Sequence, residues 1–199
     1  MEQKKAKKIF PEKEKRLIGI AGIGHSVGCT HFAIMMANYL SGYKRRATAL
    51  LEWNRSGDFE RLEKVCTGKS RGEHSFRVLD VDYYKETGPG ELVGVLSSNY
   101  VDILIDFGVL GDAQFTDFLR CEKQFLVGSF SEWQETYFRE FVRKNETGKK
   151  SWSYLAAFGS EETRKEFMRR PGIFIDRIPF SADAFSVTKE CGQFFEKLV

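Results

Sequence analysis

The sequence predicts an α/β fold: three layers, α/β/α, with a mostly parallel, doubly wound sheet between two layers of helices. Three observations lead there. Short apolar runs alternate with helical patterns along nearly the whole chain. The first run, from Leu17, passes through a glycine-punctuated turn straight into a helix. A later run, YVDILIDFG at Tyr100–Gly108, ends in an aspartate with glycine two residues on.

Taken in order, Leu17–Ala21 reads as a strand, 22–28 as a turn and Thr30–Leu40 as a helix. That helix is apolar almost all round, so it belongs in the core. Ser41-Gly42 ends it. Ala47–Glu52 is the second predicted strand and Phe59–Cys66 a short helix, with Asp58 placed to cap it. Residues 67–75 form a polar loop, Phe76–Val81 a strand and Gly88-Pro89-Gly90 a turn before the helix Glu91–Ser98. Tyr83 and Tyr84, beside Asp80 and Asp82, read as an exposed strand end.

After the strand at Tyr100–Gly108 come a helix at Ala113–Cys121 and a strand at Gln124–Gly128. Ser131–Lys144 is the clearest amphipathic helix, with Trp133, Tyr137, Phe138, Phe141 and Val142 on one face. That stripe reads as core rather than as a stacking platform. Ser153–Phe158 is a strand, Glu161–Met168 a short helix and Gly172–Phe180 the last strand. Val187–Leu198 closes the chain as a helix. Lys189 and Lys197 balance Glu190 and Glu196, so packing on the sheet is expected rather than membrane targeting.

With 199 residues, 42% of them apolar and 18 of them Phe, the chain can bury one large core. The formal charge of +3 is uneven. Residues 1–16 carry seven Lys/Arg against three Glu, and the remainder is close to neutral. The expected organisation is a basic arm at 1–15, with a short docked turn at Ile9–Phe10–Pro11, followed by one domain at 16–199. Three glutamates and a single aromatic residue in the arm make a solubilising tail a better reading than a tether for nucleic acid or acidic lipid. The body carries no strong nucleic-acid signal. No run reaches the roughly 18 apolar residues of a membrane span, and no signal peptide is recognisable.

The four cysteines, Cys29, Cys66, Cys121 and Cys191, form no C-x-x-C pair and suggest a reducing, cytoplasmic setting. His25, Cys29 and His31 could be arranged as metal ligands only by distorting a helix start, and no fourth ligand is near. Cys29 stands at a predicted helix N-terminus, where the dipole lowers a thiol pKa, which raises the idea of a reactive or redox-sensing thiol, though a small neutral group filling the position is the better reading.

A strand feeding a Gly-rich loop at a helix N-terminus suits phosphate, because unpaired amides line the loop and the helix end carries roughly half a positive charge. This stretch resembles the deviant phosphate loop of the ParA/MinD family of P-loop NTPases, K-G-G-x-G-K-[ST]. On that resemblance Gly28 matches the glycine of the motif, and Thr30 matches the hydroxyl that holds Mg²⁺. Val27 is the free position, and His25 and Ser26 replace two glycines. Gly24 stands for the signature lysine and Cys29 for the phosphate-binding lysine. Each lost charge-assisted bond is worth about 1.5–3 kcal/mol, so affinity should fall by about one to two powers of ten per lysine.

The rest of the resemblance runs in the right order. Tyr100–Gly108 is similar to the Walker B strand and second switch, with Asp106 directed at Mg²⁺. The segment from Glu52 to Phe59 matches the first switch. There the candidates for the aspartate that positions attacking water are Glu52, at the end of its strand, and Asn54; the other reading is a polar strand end with a capped helix start at Asp58, and both readings stand. The last strand and its sequel resemble the family's I-P segment, which implies that Pro179, Phe180 and Ser181 border an adenine.

The resemblance implies ATP, held weakly or lost, and Mg²⁺ if nucleotide binds. Within the family the lysine-less loop is nearest to degenerate TadZ-type pilus-assembly localisation proteins and VirC1-like proteins. The implied function is localisation or assembly through a homodimer formed at the nucleotide face. The implied partner belongs to a secretion, pilus or partition complex, with peripheral placement at a membrane-associated complex left open. The alternative is a slow Mg²⁺-dependent ATPase using Thr30, Asp106 and Glu52. A synthetase of the same fold is disfavoured, since that chemistry needs the lysine.

Overall fold

The computed structural model describes residues 14–70, 72–145, 152–169 and 174–199. The N-terminal arm, with its suggested turn at 9–11, lies outside the described residues, apart from its last two. One eight-stranded sheet organises them. In chain order the elements are β1 (Arg16–Gly22), α1 (Cys29–Asn38), β2 (Thr48–Glu52), α2 (Asp58–Thr67), β3 (Ser75–Val78), β4 (Val81–Tyr84), α3 (Pro89–Leu96) and β5 (Asp102–Val109). They continue as α4 (Asp112–Leu119), β6 (Lys123–Gly128), α5 (Glu135–Lys144), β7 (Trp152–Ala156), α6 (Glu161–Phe167), β8 (Ile175–Arg177) and α7 (Lys189–Leu198). The strand order is β3-β4-β2-β5-β1-β6-β7-β8, parallel throughout except for the antiparallel edge pair β3–β4.

Alternation along the strands divides the core in two. Ile18 and Ile20 of β1, Leu50 of β2 and Leu104 of β5 face one layer with Phe32 and Met36 of α1, Phe59 of α2 and Phe195 of α7. Ile103, Ile105 and Phe107 of β5 face the other, with Val95 of α3, Phe118 of α4, Phe138 of α5 and Phe167 of α6. A sheet buried on both faces needs the near-continuous apolar strands seen here. The predicted three-layer α/β/α fold is therefore the observed one.

Three details differ from expectation. The single strand expected at Phe76–Val81 is a hairpin, turned at Leu79, whose φ is +51°. Tyr83, read as an exposed strand end, is fully buried on β4 and stacks on Phe76 with ring centroids 5.2 Å apart. The amphipathic helix begins at Glu135, after a turn at 131–134. Its Phe138 and Val142 are core, but Trp133 and Tyr137 are 80% and 56% exposed, so the aromatic stripe is only half buried. α5 closes on β6 because Gly128 leaves room: a Cβ there would sit 2.7 Å from the Phe138 ring.

At the amino ends of the central strands Asp102, fully buried, pairs with Arg16 at 2.7 Å and Arg46 at 2.5 Å. Two cations around one desolvated carboxylate hold β1, β2 and β5 in register there. The opposite, carboxyl ends of the same three strands are left to form a crevice.

Candidate functional site

β1 ends at Gly22 and the chain turns through residues 23–28 before α1 begins. Ile23 donates its amide to Val127 on β6 (2.8 Å), and Gly22 accepts from Leu110 beyond β5 (3.0 Å), so the loop is tied to both neighbouring strands. Ser26 at φ +56° and Gly28 at φ +87° take the left-handed conformation that bends the chain back onto the helix. Gln134 donates to the carbonyl of His25 at 2.8 Å and holds the outer side of the loop.

The amides from Gly24 to Thr30 make no hydrogen bond among the described residues, and no side chain caps α1. A cleft of ≈520 Å³ opens beside them, lined by the whole segment Gly24–Thr30. Unpaired amides at a helix N-terminus beside a hollow of this size form a cradle for an anion. His25 and Ser26 are exposed on its rim, while Val27 and Cys29 are buried beneath it.

Asp106, fully buried near the end of β5, lies beside Glu52 in the β2–β5 register. Its Oδ1 accepts from the Gly108 amide (2.9 Å) and from the Cys29 thiol (3.3 Å). Its Oδ2 is buried without a hydrogen-bond partner. Burial pushes the Asp106 carboxyl above the usual carboxylate range, opposed by the Thr30 hydroxyl, the Gly108 amide and the Cys29 thiol, and assisted by the nearby Glu52 charge. Thr30 does not complete a hydrogen bond of normal geometry to Oδ2.

The idea of a reactive Cys29 is corrected here. Burial and then the Asp106 charge raise its thiol well above the ordinary 9.0, outweighing any help from the helix end. The group is a protonated donor, not a nucleophile.

Glu52 is almost completely buried and fully occupied. Oε1 accepts from the amides of Asp58 (2.8 Å) and Phe59 (3.2 Å) and from the Ser56 hydroxyl (3.0 Å); Oε2 accepts from the Glu86 amide (3.2 Å). Its carbonyl takes the Thr87 amide and hydroxyl. The cap of α2 expected from Asp58 is supplied instead by Glu52, from six residues upstream, while Gly57 holds the cap position. A carboxylate at a helix N-terminus also meets the favourable end of the dipole.

Pro179, Phe180 and Ser181 line a second cavity of ≈270 Å³ with Phe158 and Met35. It shares Gly28 and His31 with the cleft, so the two adjoin at the start of α1. Thr30 and the loop are thus brought together with the 179–181 segment, whereas Glu52 and Asp106 sit below the cleft and outside its lining. Sequence reasoning missed Arg55 and Gln114 in the lining. The polar run after β2 was a signal for the first; nothing in the sequence singled out the second.

A glycine-bent loop at a helix start, a carboxylate at the end of the adjacent parallel strand and a cleft between them give the chain a P-loop-NTPase-like α/β fold. More narrowly, the fold is that of the ParA/MinD family ATPases. A ParA family ATPase from Chlorobium tepidum superposes with a TM-score of 0.63 at 17% identity, over 93% of this chain and 92% of that one. A plasmid partition protein from Borrelia burgdorferi, solved with AMPPNP, gives 0.63 at 18% identity, over 94% and 97%. The septum site-determining protein MinD from Pyrococcus horikoshii, solved with Mg-ADP, gives 0.58 at 15% identity, over 92% and 94%. No protein-family model and no curated protein matches the sequence. No helix among the described residues is long and apolar enough to cross a membrane.

Proposed function

We propose that this chain is a degenerate ParA/MinD-like protein that holds ATP weakly and works as a localisation or assembly protein. In this reading it pairs with a second copy through the nucleotide face and recruits a protein partner of a secretion, pilus or partition complex. One observation carries the reading: the amides of the loop are left unpaired along a cleft of ≈520 Å³, while Cys29, at the lysine position, turns its thiol onto Asp106. An anion cradle is kept and its cations are gone.

Thr30 and Asp106 would hold Mg²⁺ together with phosphate oxygens. The oxygen donors and the unpartnered Oδ2 of Asp106 suit a hard cation that keeps several waters. Mg²⁺ would supply charge neutralisation of the phosphates; the chain itself supplies orientation through the loop amides. Pro179, Phe180 and Ser181 would meet the base. The solved relatives with AMPPNP and Mg-ADP support placing nucleotide on this fold.

The slow-ATPase reading is less favoured. Glu52 would have to release the α2 amides to reach an attacking water, and no lysine is present to stabilise the transferring phosphoryl group. Exposed Trp133, Tyr137, Phe158 and Phe180 are all large apolar groups. Tyr137 lies near the loop, within 4 Å of a Cβ built on Gly24, while Phe158 and Phe180 line the second cavity. This is the kind of surface a self-association face requires. Sedimentation velocity with and without Mg²⁺–ATP tests the proposal: a concentration-dependent dimer with turnover near the uncatalysed rate supports it. A strict monomer under all conditions, or rapid turnover, would overturn it.

A further inference from the structure

We infer that Arg55 supplies from across the cleft the positive charge that the phosphate loop lacks, so that residual binding of a polyphosphate ligand depends on this guanidinium. The inference rests on the nucleotide reading of the cleft and names the residue that would carry it.

Arg55 is the sole Lys or Arg among the described residues lining the cleft. It arrives from the turn after β2, on the wall opposite the loop, and its own side chain makes no ion pair or hydrogen bond among the described residues. Its neighbours are pinned. Asn54 donates to the Asp106 carbonyl (3.0 Å) and accepts from the Ser56 amide (2.9 Å). Ser56 and Asp58 are bound in turn by Glu52. The nearest acid in the turn, Asp58, is taken by Arg61 at 2.7 Å.

The backbone carrying Arg55 is thus held on both sides, and the charge at its tip is uncommitted. Arg55 is itself exposed, so its guanidinium is open to a ligand that enters the cleft. Glu52 and Asn54 then have a shared purpose: they fix the turn that presents Arg55. A planar guanidinium suits phosphate oxygens in bidentate geometry, and a ligand reaching both walls would have its charge met by loop amides on one side and Arg55 on the other.

Isothermal titration of Mg²⁺–ATP and of inorganic tripolyphosphate into the wild type, Arg55→Gln, Arg55→Lys and Arg77→Gln, the last an exposed charge on edge strand β3 outside the cleft lining, separates the possibilities. Arg55→Gln should weaken both probes by about tenfold or more, Arg55→Lys should recover most of that, and Arg77→Gln should match the wild type. Circular dichroism of each variant checks the fold. Wild-type binding that Arg55→Gln leaves unchanged overturns the role of Arg55 alone. Equal losses in Arg55→Gln and Arg77→Gln do the same, reducing the effect to general surface charge. Absence of wild-type binding to either probe at millimolar concentration overturns the nucleotide reading and this inference with it.

Discussion

The Cys29 thiol donates to Oδ1 of Asp106 across 3.3 Å, and both groups are buried. In the proposed reading one residue stands where a P-loop lysine would reach for phosphate, and the other where a carboxylate would face the metal. Here the thiol is engaged by Oδ1 of Asp106, while Oδ2 is left without a hydrogen-bond partner. A neutral donor against a buried carboxyl costs far less desolvation than a lone lysine would, which is a physical reason for a small thiol at this position.

Cys29 should therefore be inert in the folded state. Mass mapping after a short iodoacetamide pulse at pH 8 should find Cys66, which is exposed, modified first, and Cys29, Cys121 and Cys191 protected until denaturant is added. The sign of the linkage follows from the raised thiol. Its stabilising effect is complete below the ordinary value of 9.0 and is lost as pH rises through the folded value. Cys29→Ala should accordingly flatten the alkaline limb of the stability curve.

Asp106 carries a linkage of the same sign in a lower window. Its folded pKa lies above 3.8, so its contribution is complete below that value and is lost as pH rises through the folded one. Asp106→Asn cannot suffer that loss. Urea midpoints should show the variant gaining on the wild type between pH 4 and pH 7. An identical difference at both pH values would refute the assignment.

Glu52→Ala should destabilise the fold by about 2–4 kcal/mol in urea, since it orphans buried amides at the start of α2 and at Glu86. A change under about 0.5 kcal/mol would mean that the carboxylate is not the α2 cap.

The two halves of the α5 stripe should separate cleanly. Phe138→Ala should cost about 3–5 kcal/mol, because the ring fills the space over Gly128 and packs on Phe130 and Phe167. Trp133→Ala should fall within about 0.5 kcal/mol. If the exposed aromatic face is used in self-association, the same Trp133→Ala change should weaken the dimer in sedimentation experiments.

Much of this was legible in the residues. The apolar runs of β1, β2, β5 and β6 are buried on both faces, so their composition alone marks them as central parallel strands. The loop announced itself by Gly22, Gly24 and Gly28 between a strand and a helix. The β3–β4 hairpin was not legible, because its turn uses Leu79 in a left-handed conformation and no glycine or asparagine signals it. The α5 stripe was overextended because Trp133 keeps the helical spacing but lies in the turn before the helix. Glu52 stood open between two readings, since a carboxylate that caps a helix six residues away leaves no local pattern. Arg55 was overlooked for a related reason: its position matters only once β1 and β2 are brought to the same edge.

The most direct test of the whole account is calorimetric titration of Mg²⁺–ATP into the wild type and Cys29→Lys. Restoring one charge-assisted bond to phosphate should tighten binding by about ten- to a hundredfold over a weak wild type. Tight wild-type binding that Cys29→Lys fails to improve would contradict the picture of an amide cradle stripped of its loop cations.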